Sequence, residues 1–398
     1  MSSSILGDVK MNLKTCLMIF MLFFSTISQT PHASSEETAS IYEMSITMVY
    51  TNRGYRSVEL EPWEITWNIF MNNSWQNTFL LDVNLPYTES FDADDNPIIV
   101  IDAPAIQPNE NVTINVRFKI IENERAPPLL NLTSLGTLDS IPKELVEQYC
   151  TPSGTWQTNL SVLRNLADSI WSSVDNSRNV LEIATAIAKW IRGHISTPKF
   201  NNHMYPWYPN ETYYGSEGDC DDQANLFITL CRLLNIPAYL QVGCLYDPIA
   251  DYVKETYLDG HVTTVARCVS YHGWAVVFIP PWGWLNFDLT MGQPKSNSVA
   301  PFAGITSAPV YSKTTIQLLN ITKSDWAGDA RVQIRDKESQ LYVYEEDVLN
   351  LITNETPLPN IASDLLPIIA TVVIAITALG AFGIDLVFKR YVMRKRPF

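Results

Sequence analysis

One segment of the sequence concentrates groups able to do nucleophilic chemistry. It runs Gly218-Asp-Cys-Asp-Asp-Gln-Ala-Asn-Leu-Phe-Ile-Thr-Leu-Cys-Arg-Leu-Leu-Asn-Ile-Pro237. Asp222, Asn225, Thr229 and Arg232 follow one another at helical spacing as a single narrow polar stripe, and nearly everything else is apolar. The spacing predicts a helix buried on most sides, stopped by Asn235 and Pro237. Gly218 permits a tight entry and Cys220 falls in the first turn. Free N–H groups and a partial positive charge at a helix start favour a thiolate. The same N–H groups can hold the oxyanion of a tetrahedral intermediate. Asp221 and Asp222 act in the opposite direction, because nearby negative charge raises a thiol pKa. A base is therefore needed to take the proton.

His272 is the candidate base. It lies in Val269-Ser-Tyr-His-Gly-Trp-Ala-Val-Val-Phe-Ile279, and Pro280-Pro-Trp-Gly-Trp-Leu-Asn-Phe-Asp-Leu-Thr290 follows. The pattern predicts a β-hairpin with His272 on one strand and Asp288 on the other, the carboxylate fixing the imidazole tautomer. If the two share a face, the opposite face holds Ala275, Val277, Ile279, Leu285, Phe287 and Leu289, all apolar. A shared face requires paired residue numbers with an even sum, hence an odd-length loop around Pro280–Gly283 or a bulge.

Other reactive residue types lack such a setting. His194, His203 and His261 read as surface or packing residues, and Cys231 as core. There is no Cys-x-x-Cys and no His-x-x-x-His, so neither a metal site nor a cofactor is expected. Trp274, Trp282 and Trp284 could line a groove or simply pack. Beyond the amino-terminal apolar run lie five cysteines, Cys150, Cys220, Cys231, Cys244 and Cys268. The odd number leaves at least one thiol free. Cys244 ends a strand expected to pair with the one holding His272, which suggests a Cys244–Cys268 disulfide.

The positioning elements follow from periodicity. Leu160–Val174 and Val180–Ile195 carry helical spacing, the second capped by Asn179 with Glu182 three residues on. Strands are expected over Ala238–Leu245, Val262–Ile279 and Trp284–Leu289, and further strands over about 309–344. An aromatic loop, Phe200–Tyr214, precedes the cysteine. Upstream, Tyr42–Tyr50, Trp63–Phe70 and Asn111–Ile120 alternate in polarity between turn-rich segments. They predict a β-sandwich-like domain over residues 38–125 with no catalytic residue of its own, joined by a Pro- and Leu-rich linker.

Both ends carry membrane signals. Lys10 and Lys14 precede a short apolar run, so residues 1–33 read as a signal peptide. Leu365–Ile384 is long enough to span a bilayer, within a helix placed at 365–388, and the basic segment 389–398 follows. The positive-inside rule then places the tail in the cytoplasm and the rest outside. Seven Asn-x-Ser/Thr sequons lie between these segments, at Asn72, Asn111, Asn131, Asn159, Asn210, Asn320 and Asn354. The net charge is −15 although the tail is basic, so nucleic acid is not an expected partner.

Taken together, Gly-Asp-Cys-Asp-Asp-x-Ala-x-Leu-Phe, Leu-Cys-Arg-x-Leu-x-Ile-Pro-Ala, His-x-Trp and Trp-x-x-x-Asp-x-Thr resemble the transglutaminase-like superfamily over roughly Leu145–Gly292. The layout, with a β-domain first and an anchor last, is similar to that of archaeal membrane-anchored surface members. The resemblance implies an α+β fold with a papain-like core over residues 140–300, then strands and a stalk over 301–363. It assigns the nucleophile to Cys220, the base to His272 and the acid to Asp288. Ala275 stands where many members have an acidic residue. The family's upstream side-chain donor has Trp207 and Tyr208 as candidates. The implied activity is that of a thiol peptidase or amidase acting through a thioester on protein or peptide at the cell envelope. A crosslinking transamidase and a non-catalytic binding module are the alternatives. The implied location is the cell membrane, as a single-pass type I glycoprotein.

Overall fold

A computed structural model describes residues 39–125, 130, 135–198, 205–291, 311–336 and 340–355, with 332–336 and 353–355 described by backbone alone. Thr38–Glu355 forms one compact unit. The expected signal peptide, the expected membrane helix, His203 and Asn131 lie outside the described residues. Among the described residues no helix is long and apolar enough to cross a membrane.

The first strands are β1 (Ala39–Asn52), β2 (Thr66–Asn68), β3 (Gln76–Val83), β4 (Tyr87–Phe91), β5 (Pro97–Ile101) and β6 (Asn111–Glu122). In β6 the alternation is strict: Val112, Ile114, Val116, Phe118 and Ile120 are all buried. The stretch expected as a strand from Trp63 opens instead as the helical turn α1 (Pro62–Ile65), favoured by Pro62 in the first turn. The helices α2 (Lys143–Tyr149), α3 (Ser161–Ser172), α4 (Val180–His194), α5 (Pro209–Gly215) and α6 (Cys220–Leu233) follow. Asn179 caps α4, its side chain accepting from the Glu182 N–H at 3.2 Å. Next come β7 (Ala238–Tyr246), β8 (Val253–Tyr257), β9 (Val262–Arg267), β10 (Val269–Ile279), β11 (Gly283–Phe287) and β12 (Thr315–Ile321). The single expected strand Val262–Ile279 is therefore two, split at Cys268, which has φ 56°.

Two elements near the end depart from expectation. Residues Trp326–Asp336 form a helix, α7, within the region expected to be strands. Leu341–Glu355, expected to run into a stalk, is a 15-residue strand, β13. It lies inside a six-stranded sheet of order β3-β6-β1-β13-β9-β8. It is antiparallel to β1 and parallel to β9. Strands from the start, middle and end of the sequence thus share one sheet, and the expected boundary between a β-domain and a core is not a break in the fold. Leu341, Val343 and Leu349 of β13 are buried, although Glu345, Glu346 and Asp347 lie between them.

The second sheet has the order β11-β10-β7-β12, all antiparallel. One face packs on α3, α4 and α6 through Leu240, Val242, Ala275, Val277, Ile279, Leu285 and Phe287. Cys244, Val269 and Ile316 of the same sheet belong instead to the core around β1 and β6. The four-stranded sheet therefore joins the two cores.

Candidate active site

Cys220 is the first residue of α6, as its place after Gly218-Asp219 implies. A side chain at Gly218 would meet Asp222 Cβ at 2.8 Å and Thr212 Cγ2 at 2.9 Å, so the entry requires glycine. Fully buried Asp222 ties the preceding chain to the helix, accepting from the Trp207 N–H at 2.6 Å and the Asp219 N–H at 3.2 Å. Gln223 donates to Thr197 Oγ1 at 3.0 Å and to the Gly218 carbonyl at 2.8 Å. The rest of the stripe, Asn225, Thr229 and Arg232, is buried too.

The hairpin meets its requirement. Ile279 pairs with Gly283 and Ala275 with Phe287, every pair having the same even sum, around the three-residue loop Pro280-Pro281-Trp282. His272 and Asp288 consequently share a face. His272 Nε2 lies 2.9 Å from Asp288 Oδ2, with the side chains 4% and 1% exposed. The Asp288 Oδ1 atom accepts from the N–H groups of Thr290 and Met291 at 3.0 and 2.9 Å. The six apolar residues expected on the opposite face, including Ala275, all sit in the helix-covered core.

Helix α6 packs closely on β10 beside Cys220, where Gly273, the residue after His272, meets Asp221. The Gly273 N–H acts on the thiol to favour its ionised form. A Cβ at Gly273 would meet Asp221 Cβ at 2.9 Å, so glycine is what lets α6 come so close to β10. Burial, then the Asp221 and Asp219 carboxylates, push the thiol well above its ordinary range; the Gly273 and Asp221 N–H groups only partly offset this. The resting thiol therefore holds its proton, and a base is required.

Asp219 and Asp221 share a hydrogen bond beside the cysteine. Burial and the Asp219 carboxylate push the Asp221 carboxyl up to about 7. Asp221 Oδ2 also accepts from Trp326 Nε1 at 2.9 Å. Asp221→Asn keeps an acceptor for Trp326 and removes the charge. Above pH about 7, iodoacetamide should then alkylate Cys220 about tenfold faster than in the wild type, the scale of one adjacent like charge. Below that pH wild-type Asp221 is itself neutral, and the two rates should converge. Equal rates across the whole range would show that Asp221 does not act on the thiol.

Trp326 was not found from sequence, because α7 was not. A start signal was present: Asp325 Oδ1 accepts the Gly328 N–H three residues on, at 3.2 Å. Tyr208, one candidate for the upstream donor, is committed elsewhere, donating to Asp325 Oδ2 at 2.9 Å. Of the other candidate, Trp207, the backbone N–H serves Asp222. Trp274 is fully buried rather than groove-lining. His194 stacks on Trp190 and His261 on Tyr342. Cys231 is core.

The expected Cys244–Cys268 disulfide is not formed; both residues are free thiols. The strands do pair, but Cys244 lies opposite Tyr271. The Cys268 carbonyl is bonded by the Asp247 N–H, three residues beyond Cys244. That offset is about 10 Å along a strand and reverses the face, too far for the bond. Among the sequons Asn72, Asn111 and Asn159 are exposed. Asn320 is half-buried, its Oδ1 bonded by Gln241 at 2.8 Å. Asn210 is half-buried, and the Asn354 side chain lies outside the described residues.

Comparison with known proteins bears on the fold and on the family. A candidate cysteine protease from Cytophaga hutchinsonii superposes with a TM-score of 0.50 at 13% identity, covering 80% of this chain and 92% of that one. The periplasmic domain of TgpA from Pseudomonas aeruginosa gives 0.31 at 12% identity, over 65% of this chain and 88% of that one. Red sea bream transglutaminase gives 0.21 at 12% identity, over 66% and 52%. At such identities the first likeness speaks to fold alone, and the other two are too distant to carry weight. No curated protein matches significantly in sequence. Residues 164–289 match the description "Transglutaminase-like superfamily", an interval holding the cysteine helix and both strands of the hairpin. This chain therefore carries a domain of the transglutaminase-like superfamily over residues 164–289.

Proposed function

We propose that this protein is a membrane-anchored extracellular thiol enzyme that cleaves amide bonds, with Cys220 as nucleophile, His272 as base and Asp288 as its orienting acid. The observation that carries the reading is the buried His272–Asp288 contact at 2.9 Å on the strand whose Gly273 packs against Asp221, the residue after Cys220. With Nε2 held by Asp288, Nδ1 is the ring nitrogen that takes the thiol proton. The thiolate adds to the amide carbonyl carbon, and N–H groups at the start of α6 hold the oxyanion. Collapse breaks the C–N bond while the imidazolium passes its proton to the leaving amine. Water, deprotonated by His272, then attacks the thioester and releases acid and thiol.

Hydrolysis is the reading preferred over crosslinking; among the described residues β12, α7 and β13, which follow the site, fold back into the unit that holds it. The test offers a glutamine-containing peptide with and without a labelled primary amine, to the wild type and to Cys220→Ala. Hydrolysis that needs Cys220 and exceeds amine incorporation is expected. Faster incorporation would make the protein a transamidase. No turnover, with Cys220 inert to iodoacetamide, would make it a binding module.

Anchoring rests on Leu365–Ile384 and the basic tail. Exposed Asn72, Asn111 and Asn159 suit glycosylation outside the membrane. Protease treatment of intact cells should remove the folded unit and spare a tail epitope; loss of that epitope would reverse the orientation.

A further inference from the structure

A row of buried side-chain amides leads from the amino-terminal strands to the ring beside His272. The Trp274 indole lies against the His272 imidazole, ring centres 5.8 Å apart. Its Nε1 donates to Gln241 Oε1 and Asn286 Oδ1, both at 3.1 Å. Gln241 Oε1 also accepts from Gln317 Nε2 at 2.8 Å, and Gln241 Nε2 donates to Asn320 Oδ1 at 2.8 Å. Gln317 is gripped in turn from β3 and the loop before it. Gln76 Oε1 accepts the Gln317 N–H at 2.7 Å, Gln76 Nε2 donates to the Gln317 carbonyl at 2.8 Å, and Asn73 donates to Gln317 Oε1 at 2.7 Å. Gln76, Gln241 and Gln317 are at most 5% exposed.

The imidazole is fixed at two places, by Asp288 at Nε2 and by the indole beside the ring. The indole has space because Gly243, paired with His272 across the sheet, has no side chain. A Cβ there would stand 3.0 Å from Trp274 Cη2 and 2.2 Å from the Ile316 carbonyl oxygen. What stops the indole from turning is the pair of acceptors at Nε1. Removing Gln241 would leave one acceptor and strand a buried donor on Gln317 and a half-buried acceptor on Asn320.

We propose that Gln241 is a positioning residue for His272, acting through Trp274, and that Gln76 and Gln317 make the amino-terminal strands part of that support. The proposal rests on the reading of His272 as the base. It gives the β-rich start of the chain a task at the site that a mere spacer would not have.

The experiment compares full-length wild type with Gln241→Leu, Gln241→Glu and Trp274→Phe, with His272→Ala as reference. It measures kcat and KM for amide hydrolysis, the pH profile of Cys220 alkylation, and Tm. Gln241→Leu is expected to lower kcat by roughly ten- to a hundredfold, the scale of a small misplacement of a reacting group. KM should stay within about twofold, and the alkylation profile should move toward that of His272→Ala. Gln241→Glu keeps an acceptor for Trp274 and Gln317 and should recover most of the loss. A lowered Tm with unchanged kcat and unchanged alkylation profile would overturn the proposal, leaving Gln241 purely structural. Should Gln241→Leu not fold, Trp274→Phe, which keeps a ring and loses the N–H, decides by the same two readouts. If His272→Ala itself leaves alkylation and turnover untouched, the assignment of the base fails, and that failure is distinct from a failure of Gln241 alone.

Discussion

Asp288→Asn should lower kcat for Cys220-dependent amide cleavage by roughly 10³- to 10⁴-fold while the protein stays folded. The size follows from the donors around the carboxylate. Oδ1 accepts from two backbone N–H groups, at Thr290 and Met291, and Oδ2 faces His272 Nε2 at 2.9 Å. An asparagine must keep its oxygen toward the two N–H donors, because its NH2 group cannot accept from them. The NH2 is then turned toward Nε2, which must become the acceptor. The ring proton moves to Nδ1, where it blocks uptake of the thiol proton. Steady-state kinetics with a peptide amide and a thermal melt test this. A loss below about tenfold would mean that Asp288 holds the fold and not the tautomer.

Ending the chain at Gln340 should abolish the folded state. This removes β13, which lies between β1 and β9 in the six-stranded sheet. Leu341, Val343 and Leu349 leave the core, each worth about 1.5–3 kcal/mol of burial. The pairing of β1 from Ala39 to Asn52 is lost along one whole edge. Those terms are comparable to the 5–15 kcal/mol that typically separates folded from unfolded domains. Compared with a chain ending at Glu355, the shorter one should be insoluble or lack a cooperative melt by circular dichroism. A shared Tm within a few degrees would return this segment to the role of a stalk.

How far the sequence reached depends on the range of the forces involved. Helix α6 and its stop were legible because spacing, entry glycine and the terminating asparagine and proline act within a few residues. The hairpin was legible for a similar reason. Alternation fixes faces, so an apolar opposite face already implied that His272 and Asp288 point the same way. The three-residue loop then satisfies the parity that this demanded.

Pairing between distant segments was not legible, because it depends on which edges meet once the chain has collapsed. β1 and β13 pair across nearly the whole folded unit, and nothing within either strand names its partner. The second half of β13 falls where a stalk is expected from sequence. In the structure Asp347 is buried, bonded by the Tyr271 hydroxyl at 2.8 Å, and burial pushes its carboxyl up to about 8. At neutral pH it is largely uncharged, a property of its surroundings that its residue type does not carry. The same reason governs the site. That a thiol, a histidine and a carboxylate were available was determined by the sequence alone. That Asp221 would meet Trp326, that Tyr208 would be committed to Asp325, and that Gln241 would hold the indole beside the imidazole was decided only by tertiary packing, because each contact joins segments whose proximity no local pattern encodes.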